Sequence, residues 1–562
     1  MEFRNKCSIL KLNDMTTINF NNPFKKVLLV LALIILFLPG CEKDYLKEVP
    51  KDSISEDVFW NDKDEAYMAL MGCYDKVAES GWTERVKNIE KTMIWMSAWA
   101  GYGSWRNFEV ARGIEIVPTH ITINSVWQRV YRQISRDNYF LDNIDKVDMD
   151  EDEKAEMAAE ARFLRAFSYF WLSQLYGNVP LSTTTLTFDE ANNVSQSSEE
   201  EVENFVLSEL TAIAPDLPVE RPAAETGRIE RGAALALKGR LLMAQERWSE
   251  AASVYEEIMG LNRYIIDPRF KELFEDEGEN SDEIIFAVQY MENEYGESAT
   301  QGVMRSSLWG GYNSVNVYKI LVDAFLMTDG LPIEDSPLYD PDQPFENRDP
   351  RFYATLFLPG YSTYKGEVFH GHPDTIARTG QTGPNITGYI PNKFFDHDYE
   401  GNPFSYGGDY AHMRYAEVLL SRLESELKAG NAVDQNLLDN TINQVRGRDA
   451  VNMPPVTTAD YASDEELMEI ISRERFVELA FEGGIRYFDL RRWGKLQEVV
   501  DRDYYGMKIT DDPDNYTGKY SIDEEGHVYC GRLKFFDYND LWPIPLDELD
   551  VNDNLEQNPG YQ

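Results

Sequence analysis

The stretch ERGAALALKGRLLMAQERWSEAASVYEEIMGL, Glu230 to Leu261, decides the fold. Leu235, Leu237, Leu241, Leu242 and Ala244 recur near helical spacing, and the pattern breaks at Glu246-Arg247. A second amphipathic run then passes through Ala251, Val254, Tyr255 and Ile258. Gly239 and Ala251 are small enough for two antiparallel helices to approach closely, and Trp248 and Tyr255 are large enough to fill the groove between them. Such a unit cannot bury its own apolar face, so neighbouring units must stack on it.

The placing of small and large residues resembles a tetratricopeptide (TPR) repeat, with Leu235 and Leu242 in place of the usual aromatics and Lys238 in place of the usual Leu. A plain helical hairpin within a larger fold is the competing reading. Working outward, the chain supplies more helices. Towards the N-terminus the periodicity predicts Asp62–Glu79, Ile123–Val147, Glu151–Tyr176 and an acidic helix over Ser198–Leu217. Glu199 to Glu201 stand near the start of the last, where the helix dipole favours negative charge. Arg162 and Arg165 read as structural partners of the apolar face beside them. Towards the C-terminus, helices are predicted over Asp409–Lys428, Asp434–Arg446 and Ser463–Glu482, the last opened by a capping box of Ser463 and Glu466. Between the two groups, residues 264–408 hold no sustained helical period. Pro341, Pro344, Pro350, Pro359, Pro373 and Pro384 forbid long helices there, and only short strand-like runs such as Glu283–Gln289 occur. The fold class expected is therefore mainly α: about four TPR-like helix pairs carrying a large, irregular, loop-rich lobe with short strands.

The N-terminus is a targeting segment. Lys25-Lys26 precede an apolar run from Val27 to Leu38, too short to span a bilayer, which needs roughly 20 residues. Leu38-Pro39-Gly40-Cys41 resembles a bacterial lipobox, in which the cysteine becomes the lipidated first residue; Pro39 is unusual at its position, and translation starting at Met15 would shorten the long leader. The organisation expected is a signal peptide over 1–40, a lipid-anchored tether over 41–55, and a single body over 56–562. That body divides into an N-terminal helical part (56–263), the lobe (264–408) and a C-terminal helical part with chain-end segments (409–562).

The formal net charge of −44 repels phosphates and anionic lipid faces, which disfavours nucleic acid and direct membrane docking, and suits a soluble surface protein. Of the four cysteines, Cys7 lies in the leader and Cys41 is the acylation site; Cys73 and Cys530 remain and could pair. His370 and His372 form an HxH without a third ligand nearby, so neither a metal centre nor any cofactor is expected. Aromatic residues make up 13% of the chain, and they are the type that stacks on sugar rings. Two clusters lie on glycine-broken stretches, where a ring has less core to fill: Trp99, Tyr102 and Trp105, with Asn107 as a hydrogen-bonding neighbour, and Tyr295, Trp309 and Tyr312. These seven are the candidate ligand-binding residues, with loop anchoring as the alternative use of the first cluster.

Five C-terminal blocks occur in order: Asp329–Gly360 (DGLPIEDSPLYDPDQPFENRDPRFYATLFLPG), Asp409–Gly430 (DYAHMRYAEVLLSRLESELKAG), Ile442–Arg448 (INQVRGR), Ser472–Lys495 (SRERFVELAFEGGIRYFDLRRWGK) and Leu541–Tyr561 (LWPIPLDELDVNDNLEQNPGY). With CEKDYLKEVPKDSISEDVFWNDKDEAYMALMGCYD and AEARFLRAFSYFWLSQLYGNVPL nearer the N-terminus, they resemble the SusD/RagB family of outer-membrane nutrient-binding lipoproteins of Bacteroidetes over nearly the whole mature chain. Departures are small: Ser421-Arg422-Leu423 and Gly484 stand where the family commonly has other residues. The resemblance implies a TPR-like body, a lipid anchor at the outer membrane facing the cell surface, and a SusC-like TonB-dependent barrel as partner. It implies a glycan, or for some members a peptide or other nutrient, as ligand. The charged run Arg473, Glu474, Arg475, Glu478 and Glu482 reads as scaffold, at spacings that suit intrahelical ion pairs, and Leu541–Tyr561 as chain-end anchoring. Non-enzymatic nutrient capture is the favoured function. A protein-only TPR scaffold and a surface glycoside hydrolase, which would need two carboxylates about 5–10 Å apart, are the alternatives.

Overall fold

The computed structural model describes residues 59–78, 100–102, 117–297, 299–305, 309–311, 315–369, 371, 387–482, 484–509, 521–532 and 535–561. The leader, Cys41 and the tether lie outside these residues, as do His370 and His372. Residues from Trp60 onward form one compact unit.

The Glu230–Leu261 stretch folds as two helices, Arg231–Ala244 and Trp248–Gly260, turning at Glu246, whose φ of 57° is left-handed. Gly239 is required at the crossing: a Cβ there would sit 2.6 Å from the Tyr255 ring, which is 1% exposed. Trp248 is only half-buried, so Tyr255 does most of the filling. The pair is one step of a stack. Lys63–Ala78 packs on Ile121–Leu141, that on Glu151–Tyr176, that on Glu199–Ile213, and that on Arg231–Ala244. Trp248–Gly260 then packs on Tyr415–Lys428, and Tyr415–Lys428 on Asp464–Glu478. The helical frame thus runs straight past the lobe. Arg240 grips Glu417 across this join with two bonds of 2.7 Å.

Caps set the helix starts. Ser198 and Glu201 form a reciprocal capping box at the Glu199–Ile213 helix. Ser463 accepts the Glu466 N–H at 3.3 Å, while the Glu466 carboxylate reaches back to the Ala462 N–H at 2.6 Å. Arg162 and Arg165 both bind Glu209, at 2.8 and 2.7 Å, so their role is structural, as the sequence suggested. The Asp434–Arg446 helix is broken in two at Thr441, into Gln435–Asn440 and Ile442–Arg446.

One predicted helix begins as a strand. Tyr410–Arg414 pairs antiparallel with Ile284–Val288, and the helix starts only at Tyr415. The strand is buried because Arg414, 1% exposed, enters a charge network that periodicity does not read as core. That network also corrects the ion-pair reading of Ser472–Lys495. Its acids pair between elements, not within the helix. Glu478 meets Arg414 at 2.8 Å, Arg351 at 2.9 Å and Arg448 at 3.1 Å. Glu482 meets Arg414 and Lys393, each at 2.5 Å. Glu474 bridges Arg351 and Arg446, Asp349 binds Arg351, and Glu283 binds Arg414 and Arg448. Five cations thus face five carboxylates, all buried. Burial alone would raise the Glu478 carboxyl, but Arg414, Arg448, Arg351 and Lys393 hold it well below the usual carboxylate range. Burial pushes Lys393 down to about 8 against the pull of Glu482. Arg475 turns the other way, to Asp489 at 2.8 Å and Ser421 at 2.9 Å.

The chain end clips onto the frame. The Trp542 N–H donates to Leu175 O at 2.6 Å, and Asn558 donates to Tyr176 O at 2.9 Å, with the Trp542 ring fully buried. No disulfide joins Cys73 to Cys530. Among the described residues, no helix is long and apolar enough to cross a membrane.

Candidate functional site

Two stretches that the sequence marks as aromatic-rich, far apart in the chain, are joined by a strand pair. Ala100–Tyr102 runs antiparallel to Val315–Val317, with Ala100 opposite Val317, Gly101 opposite Asn316 and Tyr102 opposite Val315. Val315 and Val317 are fully buried in the lobe core, which fixes the register. Tyr102 is the last residue of its strand. Trp99, Trp105, Asn107 and Tyr312 lie outside the described residues; in sequence they flank the two paired strands.

Tyr295 stands on a tight hairpin. Met291 and Tyr295 exchange backbone bonds of 2.9 and 3.2 Å around Asn293, whose φ is 65°. The hairpin is braced from behind: Glu297 and Tyr406 exchange bonds of 2.8 and 2.9 Å, and Ser405 Oγ accepts the Asn293 N–H at 3.1 Å. Gly296 lets the two backbones meet, since a Cβ there would lie 2.4 Å from the Ser405 carbonyl carbon. The result is a tyrosine ring 63% exposed beside Met291 at 56%, on a backbone with little freedom.

Trp309 is placed differently. It is half-buried and packs on four rings: Phe357 and Tyr364 at 4.8 Å, Phe369 at 5.9 Å, and Phe395 stacked at 5.8 Å with 8° between the planes. Neither these partners nor Arg305 is legible from the local pattern around Trp309. That guanidinium is buried above Phe395, 4.6 Å from the ring centre, and donates to the Tyr364 hydroxyl at 2.9 Å. Burial lowers its pKa. His397, stacked on Phe357, is pushed down by burial to about 4 and is neutral at ordinary pH. Among the described residues no cluster of three His, Cys, Asp or Glu side chains could hold a metal ion. The surface on offer is aromatic and polar, suited to stacking and hydrogen bonding.

The profile of the SusD family matches residues 282–561, which contain most of the lobe, the buried network and the chain-end segment. The chain belongs to the SusD family. A second profile, described as starch-binding and associating with the outer membrane, matches residues 44–242 of this SusD-family protein. A solved SusD-like carbohydrate-binding protein from Bacteroides fragilis is 33% identical and superposes with a TM-score of 0.83 over 89% of this chain and all of its own. The starch-binding protein SusD of Bacteroides thetaiotaomicron is 24% identical over 78% of each chain. SusD-like protein P25 of Formosa agariphila is 22% identical over 95% of this chain and 99% of its own. The mainly α, TPR-like frame is that of SusD-like structures, and membership places the protein at the outer membrane.

Proposed function

We propose that this SusD-family protein is a lipid-anchored, cell-surface glycan-binding subunit, held through acylated Cys41, that captures an oligosaccharide and passes it to a SusC-like TonB-dependent barrel without altering it. The observation that carries the reading is the Ala100–Tyr102/Val315–Val317 pair, because it joins the strand that ends in Tyr102 to the lobe strand that follows Trp309 in sequence. The carbohydrate-binding relative at 33% identity and the starch-binding relative support glycan as the ligand class. An exposed, backbone-braced Tyr295 suits stacking on a sugar ring, since little conformational freedom is left to lose on binding.

Calorimetry of the soluble chain from residue 42, against a panel of oligosaccharides, tests this. One polysaccharide class is expected to bind and to be recovered chemically unchanged. Tyr295→Ala is expected to weaken binding about tenfold, on the order of 1 kcal/mol, with no shift in Tm. Trp309→Ala, which strips a ring from four aromatic neighbours, is expected to lower Tm. Absence of binding to every glycan and peptide offered would overturn capture and leave the protein-only scaffold; turnover of the bound sugar would point to the hydrolase.

A further inference from the structure

On the helical part, well apart in sequence from every lobe segment, lies an open groove of about 460 Å³. It runs between the Ile121–Leu141 helix, the chain from Pro180 to Val194, and the short Leu546–Val551 helix with the residues just after it. Trp127, Tyr131, Ile134, Pro180, Val194 and Leu555 give it an apolar lining. Trp127 is held by Tyr131 at 4.9 Å and Tyr176 at 5.1 Å, so the wall is built in rigid rings.

The banks are apolar and open to water. Phe188 is 81% exposed on one side, near the lining residues Ala191 and Asn192. It is not on a loose loop: Thr187 and Glu190 close a reciprocal capping box around its turn, with Glu190 Oε2 accepting the Thr187 N–H at 2.8 Å. On the other side Val551 is 60% and Leu546 40% exposed, and the Leu546 N–H ties that helix to Pro118 O at 3.0 Å, next to exposed Ile121. A fixed, exposed apolar patch around a groove is the mark of a protein-binding surface. Its charge is one-sided. Asp189 and Glu190 adjoin Phe188, and Asp547, Asp550 and Asp553 surround Val551. Among the described residues, Arg132 is the one cation in the lining.

We propose that this groove is the docking surface for an extracellular loop of the partner barrel, one that presents a large apolar side chain between lysine or arginine residues. The inference rests on the reading that the protein works with a barrel. A volume of this size admits one or two large side chains, and the acidic banks select basic flanks while repelling an anionic lipid surface. Barrels of the outer membrane carry their longer loops on the outer side, where such a groove would meet them. Among the described residues no lobe residue lines the groove, so docking here leaves the Tyr295 face free for sugar.

The test uses the full-length, lipidated protein with an affinity tag, expressed beside its barrel and extracted in detergent. Wild type is expected to carry the barrel through purification, in a salt-sensitive association. Phe188→Lys with Val551→Lys, both largely in water and so checked to have unchanged Tm, should cut the recovered barrel at least tenfold while glycan affinity stays the same. Asp550→Lys with Asp553→Lys, which leaves the apolar lining intact, should weaken recovery and flatten its salt dependence. Full recovery of the barrel with the Phe188/Val551 variant overturns the surface while keeping the partner. No barrel with wild type that still binds glycan overturns surface and partner together, leaving capture alone. A self-association seen by sedimentation, or a bound small molecule seen by native mass spectrometry, that the variant abolishes would reassign the groove and overturn the proposal.

Discussion

Asp409 shows how far one carboxyl can be displaced by its setting. Its Oδ1 accepts the Tyr290 N–H at 3.0 Å, while its own N–H donates to Glu279 Oε1 at 3.0 Å, which keeps a second acid close. Burial and that neighbour push its pKa up to about 7. The folded state therefore holds this proton over a range where the unfolded chain has lost it, so its contribution is whole below about pH 4 and is lost as pH rises through 7. Asp409→Asn keeps the acceptor for Tyr290 and removes the charge. It is expected to raise Tm over wild type at pH 8 and to match it at pH 4; equal Tm at both would refute the displaced carboxyl. Single rings teach a related lesson about legibility. Tyr295 and Trp309 look alike in the sequence, both aromatics in a Gly- and Pro-rich stretch. One ends exposed and the other stacked on Phe395, because the rings that enclose Trp309 arrive from other parts of the lobe. Nothing local to either residue carries that difference.

At the scale of the element, the helices were legible wherever an apolar stripe met a cap. Glu151–Tyr176 has the predicted ends, fixed by Asp150 accepting from Asp152 and Glu153 and by the turn at Gly177. The Tyr410–Arg414 strand was not legible, since its buried residues include His412 and Arg414, which a hydropathy pattern counts as surface. The crossing of Arg231–Ala244 with Trp248–Gly260 offers a sharp test. In an ordinary helix interior Gly→Ala stabilises by roughly 0.5–1 kcal/mol. At Gly239 the new methyl would meet the Tyr255 ring at 2.6 Å, and overpacking of this kind costs about 1–3 kcal/mol. The second effect is the larger, so Gly239→Ala is expected to lower stability in denaturant titration; a rise would mean that the ring has room to move.

Across the whole molecule, the charge network ties the lobe to the C-terminal helices beside the apolar core that they share. Glu283, Asp349, Arg351 and Lys393 come from the lobe, and Glu474, Glu478 and Glu482 from the C-terminal helical part. Removing one charge from a buried, balanced set leaves its partners uncompensated, at about 3–5 kcal/mol. Glu478→Gln is expected to lose that much, read as a fall in the unfolding midpoint in denaturant; a loss below about 1 kcal/mol would mean that the network is not coupled. Because the folded Glu478 pKa is depressed, its stabilising effect is present above the unfolded value near 4.3 and is lost progressively as pH falls from there through the depressed folded value. The stack past the lobe has a further consequence, one of timing. Trp248–Gly260 and Tyr415–Lys428 are neighbours in space but roughly 150 residues apart in the chain. A nascent or newly exported chain can assemble the helices up to Gly260 from local contacts. It must then leave an apolar helix face bare until the lobe has been delivered and closed. The arrangement that lets an irregular lobe sit on a continuous frame lengthens the interval in which that frame is open to misassociation.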